Sequence, residues 1–321
     1  MKVWMVISFL VFTAMSACHQ PLSEVAVYQP PSPSRQDMSM EVDIFTSDMS
    51  TIDQFVAPTC NEEGPVKVYA VQHMNFAEVS EGITAGFNVD QNVSVSGDST
   101  SCGHADFIGL DGAMGIDNQF AAVIPLLNPF LAQPLNEALT RTIQEKAFII
   151  IIEILGVDDE INDDCVQVNV FRAQAQALVG NDGLLLEGQS YAIDLELPWA
   201  HTDQAYIENG RLYTRGFELS LPITFSEISL SLFLSTALLE FDLIQNEAQE
   251  RHGTLGGALS LESLVDSVAG ISEEIAPLAR QLVAGKADLD QDDTGACQSI
   301  SIAWQLKVHP AHLYLDTARP D

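Results

Sequence analysis

Between residues 165 and 245 apolar side chains recur at every second position, and nothing else in the chain constrains its fold as strongly. Val166, Val168 and Val170 alternate with Gln167 and Asn169; Tyr191, Ile193, Leu195 and Leu197 alternate with Asp194 and Glu196. Phe217, Leu219, Leu221, Ile223 and Phe225 alternate with Glu218, Ser220 and Thr224. Ile228, Leu230, Leu232 and Leu234 alternate with serines, and Leu239, Phe241 and Leu243 with Glu240 and Asp242. A strand points successive side chains to opposite faces, so this period describes strands with one dry and one wet face. Pro222 cannot donate to a ladder and predicts an edge or a bulge. Asn181-Asp182-Gly183 and Asn209-Gly210 read as turns.

The flanking sequence adds further elements. Residues 66–72 read as a first strand and residues 87–96 as a second, with Phe87, Val89, Val93 and Val95 as its apolar points. Residues 119–147 are the most helical stretch, broken by Pro125 and Pro129. Pro134 suits the first turn of a helix through Leu135, Leu139, Ile143 and Ala147. Residues 148–155 hold four consecutive isoleucines, which fits a strand buried on both faces. An acidic turn follows, with Asp158, Asp159, Glu160, Asp163 and Asp164. Gly253, Gly256 and Gly257 are expected to close the sheet. Residues 259–268 and 272–283 read as helices, the second capped by Ser272. Ile300, Ile302, Trp304, Leu306 and Val308 give a last strand. The pattern predicts a mainly β, α+β fold: an antiparallel β-sandwich or open barrel.

The N-terminus has a separate logic. Lys2 precedes an apolar run over residues 3–12 broken only by Ser8, and small residues follow. This describes a secretory signal over residues 1–17, since a bilayer span needs roughly 20 apolar residues. Met15-Ser16-Ala17-Cys18 resembles a bacterial lipobox. The resemblance implies that Cys18 is acylated and tethers the chain to the membrane. His19 is not the Asp of the inner-membrane retention signal, so it also implies the outer membrane. Residues 18–59 carry Pro21, Pro30, Pro31 and Pro33 and sustain no apolar period, as expected of a lipid-anchored linker. Residues 60–321 are expected to form a single β-rich domain.

Charge excludes some partners. The 45 acids outnumber 13 bases, for a net charge of −32. Nucleic-acid binding needs basic patches, and docking on anionic lipid needs basic segments; neither fits. With Cys18 lipidated, Cys60, Cys102, Cys165 and Cys297 remain. In an exported chain they imply two disulfides, with three pairings open. No two stand close enough in sequence for a four-cysteine zinc site.

Two acidic loops offer oxygens. Residues 288–295 place Asp288, Asp290 and Asp292 at alternate positions, the spacing by which a curled segment surrounds calcium. Asp293 stands where an EF-hand has glycine, and Ser299 where it has its bidentate Glu. Residues 109–118 hold Asp111, Asp117 and Asn118, as calcium ligands or as a turn capping the next helix. The two stretches resemble those of uncharacterised, predicted Gram-negative lipoproteins. In that group a D-x-D-G-D-G-x-x-D-N-like stretch precedes an apolar helix, and a D-x-D-x-D-G-x-C-like loop precedes the final strand. The resemblance implies an exported domain with calcium loops and no activity. Ala113 and Met114 depart from it where further acids would stand.

No G-x-S-x-G elbow, H-E-x-x-H, P-loop or strand-linked G-x-G-x-x-G occurs. The expectation is a cell-envelope lipoprotein, a binding or structural module for a protein or glycan partner. An amphiphile carrier lined by residues 217–243, and a secreted hydrolase without a familiar motif, are the alternatives.

Overall fold

The computed structural model describes residues 60, 64–128, 133–146, 148–174, 177–225, 228–271 and 276–314. The signal segment, Cys18, the linker up to residue 59 and Ser272 lie outside them. In chain order the strands are β1 (Lys67–Phe76), β2 (Phe107–Ile108), β3 (Met114–Ile116), β4 (Ile150–Leu155), β5 (Asp163–Arg172), β6 (Ser190–Tyr191) and β7 (Ala200–Glu208). They continue with β8 (Arg211–Thr214), β9 (Phe217–Phe225), β10 (Ile228–Asp242), β11 (Arg251–Ser260), β12 (Leu289–Gln291), β13 (Cys297–Pro310) and β14 (His312–Leu313). The helices are α1 (Phe120–Leu127), α2 (Leu135–Gln144), α3 (Leu261–Ile271) and α4 (Ala276–Ala284).

The main sheet runs β1-β4-β5-β7-β8-β10-β11-β13, and β13 pairs back with β1. Every one of these pairings is antiparallel. The ring is therefore a closed barrel whose strands follow one another in chain order. The barrel alternative of the sequence reading holds, and the barrel closes. β9 continues β8 along the same side of β10, after a break at Arg215 and Gly216. Among the described residues β9 pairs only with β10, so Pro222 sits where its missing N–H costs no ladder bond.

The phase of the sequence pattern reports the bulges. In β10 the inward residues are even-numbered up to Leu234 and odd-numbered from Ala237, because the register shifts between those positions. In β1 the inward set changes from Tyr69 and Val71 to Met74 and Phe76 across a shift between Val71 and His73. Ile152, Val168, Ile207, Leu212, Leu239, Phe241, Leu255, Ile302 and Trp304 all belong to the buried core. Tyr69 meets Phe241 edge-on with centroids 5.0 Å apart, and Phe76 lies 5.5 Å from Trp304. An eight-stranded barrel has an interior just wide enough for such side chains to fill. Leu219, Leu221, Ile223, Leu232 and Leu234 join this core.

Two glycines are needed inside the wall. A Cβ on Gly257 would lie 2.0 Å from the Thr236 carbonyl, and its φ is +151°. One on Gly253 would lie 2.4 Å from the Phe241 Cβ. Thus Gly253, Gly256 and Gly257 do not end the sheet; they lie within β11, where close approach of β10 requires two of them.

The two barrel ends differ. At one, connections are short: the acidic turn before β5, Asn209-Gly210 between β7 and β8, and residues 243–250. At the other, long connections carry the helices. The β1–β4 excursion holds β2, β3, α1 and α2; the β11–β13 excursion holds α3, α4 and β12. α2 begins just after Pro134 and buries Leu139 and Ile143. Disulfides Cys60–Cys165 and Cys102–Cys297 pin residue 60 to β5 and the 97–104 loop to the start of β13. The pairing left open by sequence is thereby settled.

Two expected strands are not strands. Residues 87–96 make only an isolated bridge, Phe87 to Asp117, and Val93 and Val95 are exposed. Their backbone is held by carboxylates, not by a neighbouring strand. Of residues 191–197 only Tyr191 belongs to a strand, Ile193 makes a single bridge to Ala173, and Leu195 is exposed.

Candidate binding face

The outer wall over the β1–β13 seam is covered by the first long excursion. Ala77 and Ala85 pack on Ala303, and the Phe87 ring lies above Gly256. Small residues on β11 and β13 let this layer sit close. Asn118 is buried; its amide donates to the Thr84 hydroxyl at 2.9 Å and to the Ala85 carbonyl at 3.3 Å. It is a structural clamp. Asp111 is exposed and accepts from the Ala113 N–H of its own turn at 2.9 Å.

Asp117 behaves differently. Its carboxylate accepts from the Val89 N–H at 2.7 Å and faces Asp90, Asp106 and Asp288. Burial first, then these acids, push its carboxyl up to about 8. Asp106 accepts from the Ser94 N–H at 2.5 Å and shares a hydrogen bond with Asp117; burial raises it as well. Asp288, nearly fully buried, accepts from the Ser301 N–H at 2.8 Å and the Ser301 hydroxyl at 2.5 Å. Burial pushes it up to about 7. The Ser301 hydroxyl in turn accepts from the Gln119 N–H at 2.7 Å. Asp106, Asp117 and Asp288, from three chain segments, therefore act on one another through their charges under the layer.

The structure separates the residues of the second acidic loop. Asp290, with φ +56°, accepts from the Ser235 hydroxyl at 3.2 Å. Asp292 accepts from Thr294, from the Ala296 N–H at 3.1 Å and from the Gln298 amide at 2.8 Å, and the Thr294 hydroxyl and the Ala296 and Thr294 N–H groups hold its carboxyl below the usual range. Asp288 turns inward to Ser301. Among the described residues no three His, Cys, Asp or Glu side chains form a metal-holding group.

Beside this layer is a cleft of about 550 Å³. The seam supplies Asn75 and Gln305, which are cross-strand partners, and α2 supplies Asn136. Phe76, Glu78, Ala85 and Leu110 line it together with a turn, Ser80 to Ile83, whose ends exchange two backbone hydrogen bonds at 3.0 and 2.9 Å, so that the carboxylates of Glu78 and Glu81 and the apolar Ile83 belong to neighbouring positions. The Asn136 side chain is fixed in place: its carbonyl oxygen accepts from the Phe76 N–H at 2.8 Å. The apolar lining continues outward, since Ile83 bridges Ile108 and Ile108 pairs with Met114. Leu110 and Met114 are about two-thirds exposed, at 68% and 67%.

A second polar arrangement runs across β4, β5 and β7. Asn169 donates to the fully buried Glu153 at 2.9 Å, and its Oδ1 stands 2.8 Å from Nδ1 of the exposed His201. This relay orients one imidazole beside Trp199, which stacks on Phe171. The seam cleft and this relay were both missed in the sequence, because each is assembled across strands distant in the chain. The burial of Asp117 and Asp288 had a local signal: each stands next to apolar residues, Ile116 in one case and Ala287 and Leu289 in the other.

No protein-family model, curated protein or solved structure matches this chain.

Proposed function

We propose that the chain is a cell-envelope lipoprotein, anchored through Cys18 at the outer membrane, whose barrel is a rigid stand for a binding face over the β1–β13 seam. The observation that carries this reading is the cleft of about 550 Å³ with exposed apolar residues. Concave sites with an apolar surface and a few convergent polar groups are where ligands bind. The clustering of the inward side chains of β9 and β10 into the buried core favours this face over an internal amphiphile site. The two disulfides fit an oxidising compartment.

A photo-crosslinking residue at Leu110, compared with one at Glu160 on the short-turn end, tests the reading in intact cells. Adducts in the envelope fraction from position 110 alone are expected. Equal yields, or none, refute the binding face. Replacing Cys18 with Ser is expected to move the protein to the soluble fraction; retention in the membrane refutes the anchor.

A further inference from the structure

We propose that the seam cleft takes an extended peptide segment of another protein in which lysine or arginine stands beside bulky apolar residues. The inference rests on the binding-face reading above and adds the chemistry of the partner. Glu78 and Glu81 are exposed at the cleft, and no Lys or Arg is among the lining residues. The exposed Gln305 carboxamide can pair with a peptide backbone, beside the Asn75 and Asn136 carboxamides, which are held by His73 and Phe76. Beside them Ile83, on the same turn as Glu81, and Leu110 continue into Ile108 and Met114, so apolar side chains have a surface to cover next to the carboxylates.

Charge selects the source of the segment. A second copy of the chain brings a net −32 against the same sign. The chain's own residues 19–59 carry Glu24, Asp37, Glu41, Asp43, Asp48 and Asp53 against Arg35 alone among Lys and Arg. An anionic lipid surface is repelled in the same way. A small diamine matches the carboxylates and leaves the apolar residues bare. A basic, apolar segment of a different protein satisfies both the carboxylates and the apolar residues beside them, and the long-range field of the acidic chain speeds its encounter.

The test uses the whole folded chain and three fluorescent peptides of equal length, alternating Lys–Leu, Lys–Ser and Glu–Leu, with anisotropy read at low and high salt. The Lys–Leu peptide is expected to bind at least ten-fold tighter than Lys–Ser, and Glu–Leu not at all. The double change Glu78→Gln with Glu81→Gln, and separately Leu110→Ser, are each expected to weaken Lys–Leu binding at least ten-fold. Asp158→Asn with Asp159→Asn, at the short-turn end, is expected to leave it unchanged. These side chains are exposed, and matching thermal melts establish that the variants fold. Equal binding of Lys–Ser and Lys–Leu, or equal loss from the Asp158 and Asp159 change, shows diffuse attraction to an acidic surface and overturns the proposal. If all three peptides fail while the crosslinker at position 110 still captures a partner in cells, the binding face stands and the partner chemistry falls.

Discussion

Replacing Asp117 with Asn tests whether the buried carboxyl groups control stability. In the unfolded chain this carboxyl titrates near 3.8, and in the fold burial and the facing acids push it up to about 8. The folded protein therefore keeps a proton that the unfolded chain has lost across that window. Stability is fully present below the lower value and is lost as pH rises through the upper one. One pH unit corresponds to about 1.4 kcal/mol for one such group. From pH 5.5 to pH 7.5 this single carboxyl is then expected to remove roughly 3 kcal/mol. Asp288, raised to about 7, adds in the same sense over most of that range. Asn has the same size, keeps an oxygen for the Val89 N–H and cannot ionise. Urea unfolding at the two pH values is the assay. The wild-type chain is expected to lose several kcal/mol and Asp117→Asn about 3 kcal/mol less, with equal m-values. A variant whose pH dependence matches the wild type would refute the assignment of a buried, protonated carboxyl to Asp117.

Other outcomes follow from the wall and the loops. Gly257→Ala places a Cβ 2.0 Å from the Thr236 carbonyl at a φ of +151°, and is expected to cost at least about 2 kcal/mol in urea unfolding; an unchanged midpoint would show that the strands can part there. Changing Cys102 and Cys297 together to Ser opens a closure of 195 positions and is expected to cost about 5 kcal/mol by the chain-entropy account. Its accompanying signature is faster proteolysis within residues 97–104. Because Ser301 engages Asp288 while Thr294 and Gln298 engage Asp292, melts in calcium and in excess chelator are expected to coincide. A calcium-dependent rise of several degrees that disappears in Asp290→Asn would show that the turn rearranges around the ion.

Strands with one wet and one dry face were legible because alternation is a local property. Even the bulge in β10 was written in the chain, as the change from Leu230, Leu232 and Leu234 to Leu239 and Phe241. Ring closure was not legible, because the pairing of Phe76 with Trp304 depends on how twist accumulates around the barrel. Residues 87–96 misled because Val93 and Val95 keep the period while facing solvent, the backbone being held by Asp106 and Asp117 instead. The glycines of β11 read as a terminator because glycine usually is one. Their reason, the close approach of Thr236 and Phe241, is visible only in three dimensions. The acidic loops were read as separate because sequence distance hides that Asp117 and Asp288 act on one another through their charges.

The pairing of β1 with β13 also governs how the chain reaches its fold. β13 is the last long strand to leave the ribosome or a translocation channel, and it supplies Trp304 to the core and one side of the seam. Until it arrives, β1 and β11 each present an unpaired row of amides and carbonyls, the kind of edge that recruits other chains into aggregates. Contacts so remote in sequence also slow the final step. A form that lacks β13 therefore keeps two open strand edges, and the seam cleft is complete only when Gln305 stands beside Asn75.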